Sequence, residues 1–182
     1  PSAPVVGINA TDGAAPPTMR DAGPPPKAPA KRRTWPTCGQ AWVEPAGGVS
    51  PYDDACVLDE RFGVFVDASR RIDADTDGTR DFPFQSLQTA LVTAAETGKH
   101  VFACVGVYGE RLLIGTELSN DLKIYGGLSC ETFLVDEGGA RTIVRAEGKG
   151  ATLRIGDTRG VTLEHIDFKN VGGDPPASGT SY

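Results

Sequence analysis

The chain has 182 residues, 18 Lys and Arg against 24 Asp and Glu, and a net charge of −6, which is long enough for one domain with a real core and argues against general affinity for nucleic acid. No apolar run approaches the roughly 20 residues needed to cross a bilayer, so no transmembrane segment is expected. Of the 14 prolines, eleven fall in residues 1–51, so the front of the chain differs in kind from the rest.

The sequence opens at Pro1 with no initiator Met and no apolar signal region, as expected of a processed chain or a fragment. Residues 1–33 are rich in Pro, Ala and Gly and nearly free of large apolar side chains. Such a segment buries too little surface to offset its ordering entropy, and "GPPPKAP" favours polyproline II. It reads as an extended arm, either a linker to an anchor or a strap that orders on a neighbouring subunit.

Residues 34–61 place Trp35, Cys38, Trp42, Tyr52 and Cys56 among prolines and glycines, a disulfide-stapled neck without helical or strand periodicity. Its aromatic residues serve as staple packing or as a sugar-stacking platform. Cys38, Cys56, Cys104 and Cys130 are even in number and none stands in a CxxC, so the common zinc layouts fail. Two disulfides and an oxidising compartment follow, hence a secreted or outer-surface location. Pairing neighbours, Cys38 with Cys56 and Cys104 with Cys130, closes the shorter loops.

From Phe62 onward the pattern is that of folded structure. "FGVFVDAS" is a short β-rich run. Behind it Asp73-x-Asp75-x-Asp77-Gly78 matches the first half of a calcium loop, with Asp81 at the ninth position. The twelfth position, which requires a bidentate Glu, is Phe84, so this is no helix–loop–helix sensor. Two readings stand: a structural calcium ion held by some of Asp73, Asp75, Asp77 and Asp81, or a solvated acidic loop balanced by Arg70, Arg71 and Arg80. Over 84–97, Phe84, Leu87, Leu91, Ala94 and Ala95 form one stripe at helical spacing, after Pro83 and before Gly98, and predict an amphipathic helix.

Then come "HVFACVG", "ERLLIG", "DLKIYGG", "RTIVRAE", "ATLRIGD" and "VTLEHIDFKNV", runs alternating as strands with one buried face, bounded by Gly, Asp or Asn. No helical pattern separates them and no Asn-Gly or Asp-Gly hairpin turn joins them. Stacked coils of a solenoid fit best, with an antiparallel sandwich as the competitor.

Gly78-Thr79, Pro83-Phe84, the helix, Gly106, Tyr108, Glu110 and Tyr125-Gly126-Gly127, in that order, resemble the opening of secreted bacterial right-handed parallel β-helices, the pectin-lyase-like superfold. Relatives in that superfold also carry a Cys in the strand after the helix and another after the "YGG", where this chain has Cys104 and Cys130. The resemblance covers about residues 62–171 and is specific for fold rather than function. It implies a mainly β, right-handed parallel β-helix over 62–182, with the 84–97 helix laid over its first coil to hide apolar side chains and unpaired strand edges.

A polysaccharide lyase or hydrolase on this fold needs clustered carboxylates. The outward candidates Arg154, Asp157, Glu164, Asp167 and Lys169 are scattered. His100 and His165 lack partners at triad or metal spacing and read as surface or bend positions. Asn170 is a single instance of the Asn that can stack between coils. The last run ends near Val171 without a capping signal, so a continuing chain or a protein partner is expected at the open coil. The sequence thus points to a non-catalytic structural or adhesive component of the cell exterior, part of an assembly or a glycan-binding rod. The alternative is the N-terminal part of a calcium-dependent polysaccharide lyase or other carbohydrate-active enzyme.

Overall fold

Strand-forming residues recur in short runs after residue 62, and the runs become strands of a mainly β fold, the last of them two strands split at His165. A computed structural model describes residues 38–39, 42–70, 76–116, 118 and 121–172. The strands are β1 Gly63–Val66, β2 His100–Cys104, β3 Gly106–Tyr108, β4 Leu112–Ile114, β5 Lys123–Leu128, β6 Thr142–Glu147, β7 Leu153–Ile155, β8 Thr162–Glu164 and β9 Ile166–Val171. A short 3-10 turn, Ala55–Val57, precedes them, and α1, Leu87–Thr97, is the one α-helix among the described residues. The arm over 1–33, Trp35, Asp73 and Asp75 lie outside the described residues.

Strand order is β1-β2-β5-β8 in the first sheet, β3-β6-β9 in the second and β4-β7 in the third. Every pairing between these strands is parallel, which removes the antiparallel sandwich. After α1 the chain visits the first, second and third sheets in turn, repeats the round with β5, β6 and β7, and begins it again with β8 and β9.

The helix begins later than its apolar stripe suggests, at Leu87 instead of residue 84. Phe84 is held as an isolated strand bridge beside β1: its N–H donates to Phe65 O at 2.9 Å, and its carbonyl accepts from Asp67 N at 2.8 Å. Ser86 is the N-cap, accepting from Thr89 N at 3.2 Å. Glu110, from the turn after β3, accepts from Leu87 N at 2.7 Å, Gln88 N at 3.1 Å and Ser86 Oγ at 2.8 Å. A remote carboxylate therefore satisfies N–H groups that a helix start leaves open, at the end where the helix dipole favours negative charge. Gly98, at φ 65, ends the helix in the left-handed conformation glycine adopts most easily.

Two apolar layers form on opposite faces of the first sheet. Val64, Val66, Val101, Ala103 and Ile124 point inward and meet Leu87 and Leu91 of α1 together with Leu112, Ile114, Val144 and Ile166 from the other sheets. The alternate residues Phe65, Phe102 and Tyr125 point outward, and they are register partners on adjacent strands. Ring centroids stand 5.3 Å apart between Phe65 and Phe102 and 5.9 Å between Phe102 and Tyr125. This outer row packs with Val57, Leu58, Leu128 and Phe133, and Trp42, Val49, Tyr52 and Phe62 close over it. The expectation of strands with a single buried face therefore fails for β1, β2 and most of β5, because the neck covers their second face. The described residues all belong to one compact unit, Arg33–Tyr182. Disulfides join Cys38 to Cys56 and Cys104 to Cys130.

Candidate functional site

Asp77 lies in the segment leading to Phe84, and its Oδ1 accepts from Thr79 N at 2.9 Å, closing a local turn. Hydrogen bonds from Thr79 hold the exposed Asp77 carboxyl below the usual carboxylate range. Asp81 is exposed. Arg80 turns inward instead of screening the loop from outside: it is only 8% exposed, and its guanidinium sits 4.9 Å from the centre of the Phe65 ring. Burial lowers its pKa, opposed by Glu60, Asp59 and Asp81. The loop thus has a structural part, since Gly78 O accepts from Phe65 N at 2.8 Å along the edge of β1. Asp67 and the Cys104 and Cys130 sulfurs place ligand-type atoms within 4.8 Å of one another. The two sulfurs are bonded to each other, so neither is a thiolate, the form that binds metal.

The neck attaches to the first sheet through polar contacts around its aromatic layer. His100 Nε2 and Glu44 Oε1 are 2.8 Å apart. The histidine is 8% exposed, so the reading of His100 as a surface or bend residue gives way to a buried anchor that a segment distant in sequence completes. Lys123 Nζ donates to Gly47 O at 2.7 Å, and Ser50 Oγ donates to Glu164 Oε2 at 2.8 Å. Tyr52 donates to Gly126 O and lies 3.9 Å, centroid to centroid, from the ring of His165. His165 turns the chain between β8 and β9 with φ 54. A cleft of 460 Å³ separates neck from sheet, lined in part by Glu44, Lys99, His100, Asp121 and Lys123.

The carboxylates considered for catalysis do not converge. Glu164 ends β8 in the first sheet and is bonded to Ser50. Asp167, on β9 in the second sheet, accepts from Arg141 Nε at 2.6 Å. Arg154 lies on β7 in the third sheet and Lys169 on β9, while Asp157 is exposed beyond β7. Of the aromatic residues weighed as a sugar platform, Trp42 packs edge-on to Phe62 with centroids 5.2 Å apart, and Tyr52 meets Tyr125 at 6.5 Å. Both serve the staple. Asn170 Nδ2 donates to Gly150 O at 2.8 Å, tying β9 to the turn of the preceding round.

Sequence reasoning counted Glu110 in the motif without assigning it the helix cap, and passed over Gln88 and the basic residues Arg111, Arg145 and Lys149. The only advance signal for Arg145 and Lys149 is the high Lys and Arg content of "RTIVRAEGKGATLR"; Arg111 had none. No protein-family model, curated protein or solved structure matches the chain.

Proposed function

We propose that the chain is the opening of a right-handed parallel β-helix of the pectin-lyase-like kind, acting as a rigid, non-catalytic structural or adhesive component outside the cell. The observation that carries this reading is the rotation of successive strands through three parallel sheets, with α1 and the 78–84 segment lying against the first strands. Two disulfides suit an oxidising location. Against catalysis stands the placement of Glu164 and Asp167 on different sheets, each engaged by another residue. Glycoside hydrolysis needs two carboxyl groups facing one scissile linkage. Among the described residues β7, β8 and β9 each pair on one side only. Further coils, from this chain or a partner, would extend the stack from there, and the 1–33 arm would reach a neighbouring subunit.

The test is incubation with polygalacturonate and with alginate, with calcium and with chelator, following the unsaturated product of lyase cleavage. No product is expected under either condition. Chelator-sensitive product formation would overturn the structural reading in favour of the lyase. Deleting residues 1–33 is expected to dissolve ordered oligomers of the full chain, read by light scattering.

A further inference from the structure

Five cations collect where the second sheet gives way to the third, on a chain whose net charge is −6. Arg145 of β6 and Lys169 of β9 are register partners on adjacent strands, both exposed, and so about 4.8 Å apart along the backbone pairing. Arg154 of β7 is exposed opposite Leu113 of β4. Arg111 and Lys149 stand on the two turns that lead from the second sheet to the third. Arg111 is held in place, donating to Glu147 O and, at 3.4 Å, to Ala151 O.

Two clefts share Arg111. One, of 710 Å³, is lined in part by Val107, Arg145 and Glu147; the other, of 720 Å³, by Leu113, Lys149 and Arg154. The side chains of Arg145, Lys149, Arg154 and Lys169 make no hydrogen bond or ion pair with a described residue. Of the acids lining the clefts, Glu110 is taken up by three hydrogen bonds at the helix start, which leaves Glu147. Like charges directly opposite on neighbouring strands destabilise a sheet, so the Arg145–Lys169 pair opposes folding and favours an anion between the two heads.

We propose that this corner binds a sulfated polysaccharide. No aromatic ring lines either cleft among the described residues, so recognition there rests on charge rather than on stacking against a sugar face. Cationic side chains carried side by side on two adjacent strands suit a tetrahedral oxyanion with three acceptor oxygens, whereas a planar carboxylate is satisfied by one guanidinium fork. Two clefts flanking one fixed guanidinium suit an anion repeated along a polymer. The inference rests on the adhesive reading only for the partner being a glycan, and its test is independent of the lyase assay.

The experiment measures binding of the full chain to dextran sulfate, with unsulfated dextran as blank, at low and at physiological salt. Binding to the sulfated polymer alone, weakened by salt, is expected. Arg145→Ser with Lys169→Ser is expected to lower affinity about tenfold or more through loss of two charge-assisted contacts. Lys149→Ser with Arg154→Ser should act alike and serves if the first pair disturbs folding. Arg61→Ser with Lys99→Ser makes the same charge change elsewhere and is expected to stay within about twofold. No binding at low salt, equal loss in the control pair, or equal affinity for duplex DNA or for phosphatidylglycerol vesicles would each overturn the assignment.

Discussion

Gln88 of α1 pairs with the backbone of Leu113 in β4 as a neighbouring strand would: its Nε2 donates to Leu113 O at 3.2 Å, and its Oε1 accepts from Leu113 N at 2.9 Å. β4 pairs with β7 on its other side, so one side chain satisfies the open edge at its centre. Gln88→Ala removes both bonds and is expected to cost about 1–2 kcal/mol, read as a lower urea midpoint with unchanged slope. An unchanged midpoint would mean that water replaces the amide without loss.

The acceptor role of Glu110 makes the start of α1 depend on a residue beyond the next two strands. Glu110→Ala leaves the Leu87 and Gln88 N–H groups without this partner and should destabilise by about 2 kcal/mol. Glu110→Gln, which keeps one acceptor oxygen, should fall between. Thermal unfolding of the two variants checks the order, and equal melting points for both and the parent would remove the cap from the account.

Phe133 packs edge-on to Phe65, with centroids 5.0 Å apart, and is fully buried. It lies on the segment that the Cys104–Cys130 bridge ties to β2 across a separation of 26 residues. Phe133→Ala should cost about 3–5 kcal/mol, and replacing both cysteines by Ala about 3 kcal/mol. Because bridge and ring fix the same segment, the combined loss should be smaller than the sum. Full additivity in denaturant titrations would show that they act separately.

Alkali should unfold the chain through its tyrosines. Burial foremost, with Glu164 second, raises Tyr52 well above the ordinary phenol range, and burial does the same for Tyr108. Tyr125 is pushed up to about 12 by burial first, then by Glu164, Glu44 and Asp53. The folded state thus retains protons that the unfolded chain releases near pH 10. The stability contribution is complete below that pH and is lost as pH rises from about 10 toward the folded values. Phenolate absorbance of these residues should appear together with unfolding, and a gradual titration of folded protein would contradict the burial.

Much of the strand pattern was legible because alternation and turn residues are local signals. Leu112 and Ile114, buried on either side of the exposed Leu113, announce β4 directly. The helix stripe was visible too, yet Phe84 belongs to it by spacing and to the edge of β1 by hydrogen bonding; the competition is decided by a strand some twenty residues earlier. The second buried face of the first sheet could not be read, since Phe65, Phe102 and Tyr125 look like ordinary strand residues until the neck is placed over them. The same holds for His100, whose partner Glu44 lies 56 residues away. In the acidic segment the turn that Asp77 closes with Thr79 is a local signal, whereas the place of Arg80 over the Phe65 ring is set by β1 and could not be read.

The covering of β1 by Gly78 and Phe84 and of β4 by Gln88 gives two of the three sheets a polarity. A strand offered by another molecule finds no vacant pairing at Phe65 or Leu113, whereas the far sides of β7, β8 and β9 stay available among the described residues. In these two sheets any added strand would therefore find open backbone groups at the β7 and β8 side alone, which gives pairing there a direction.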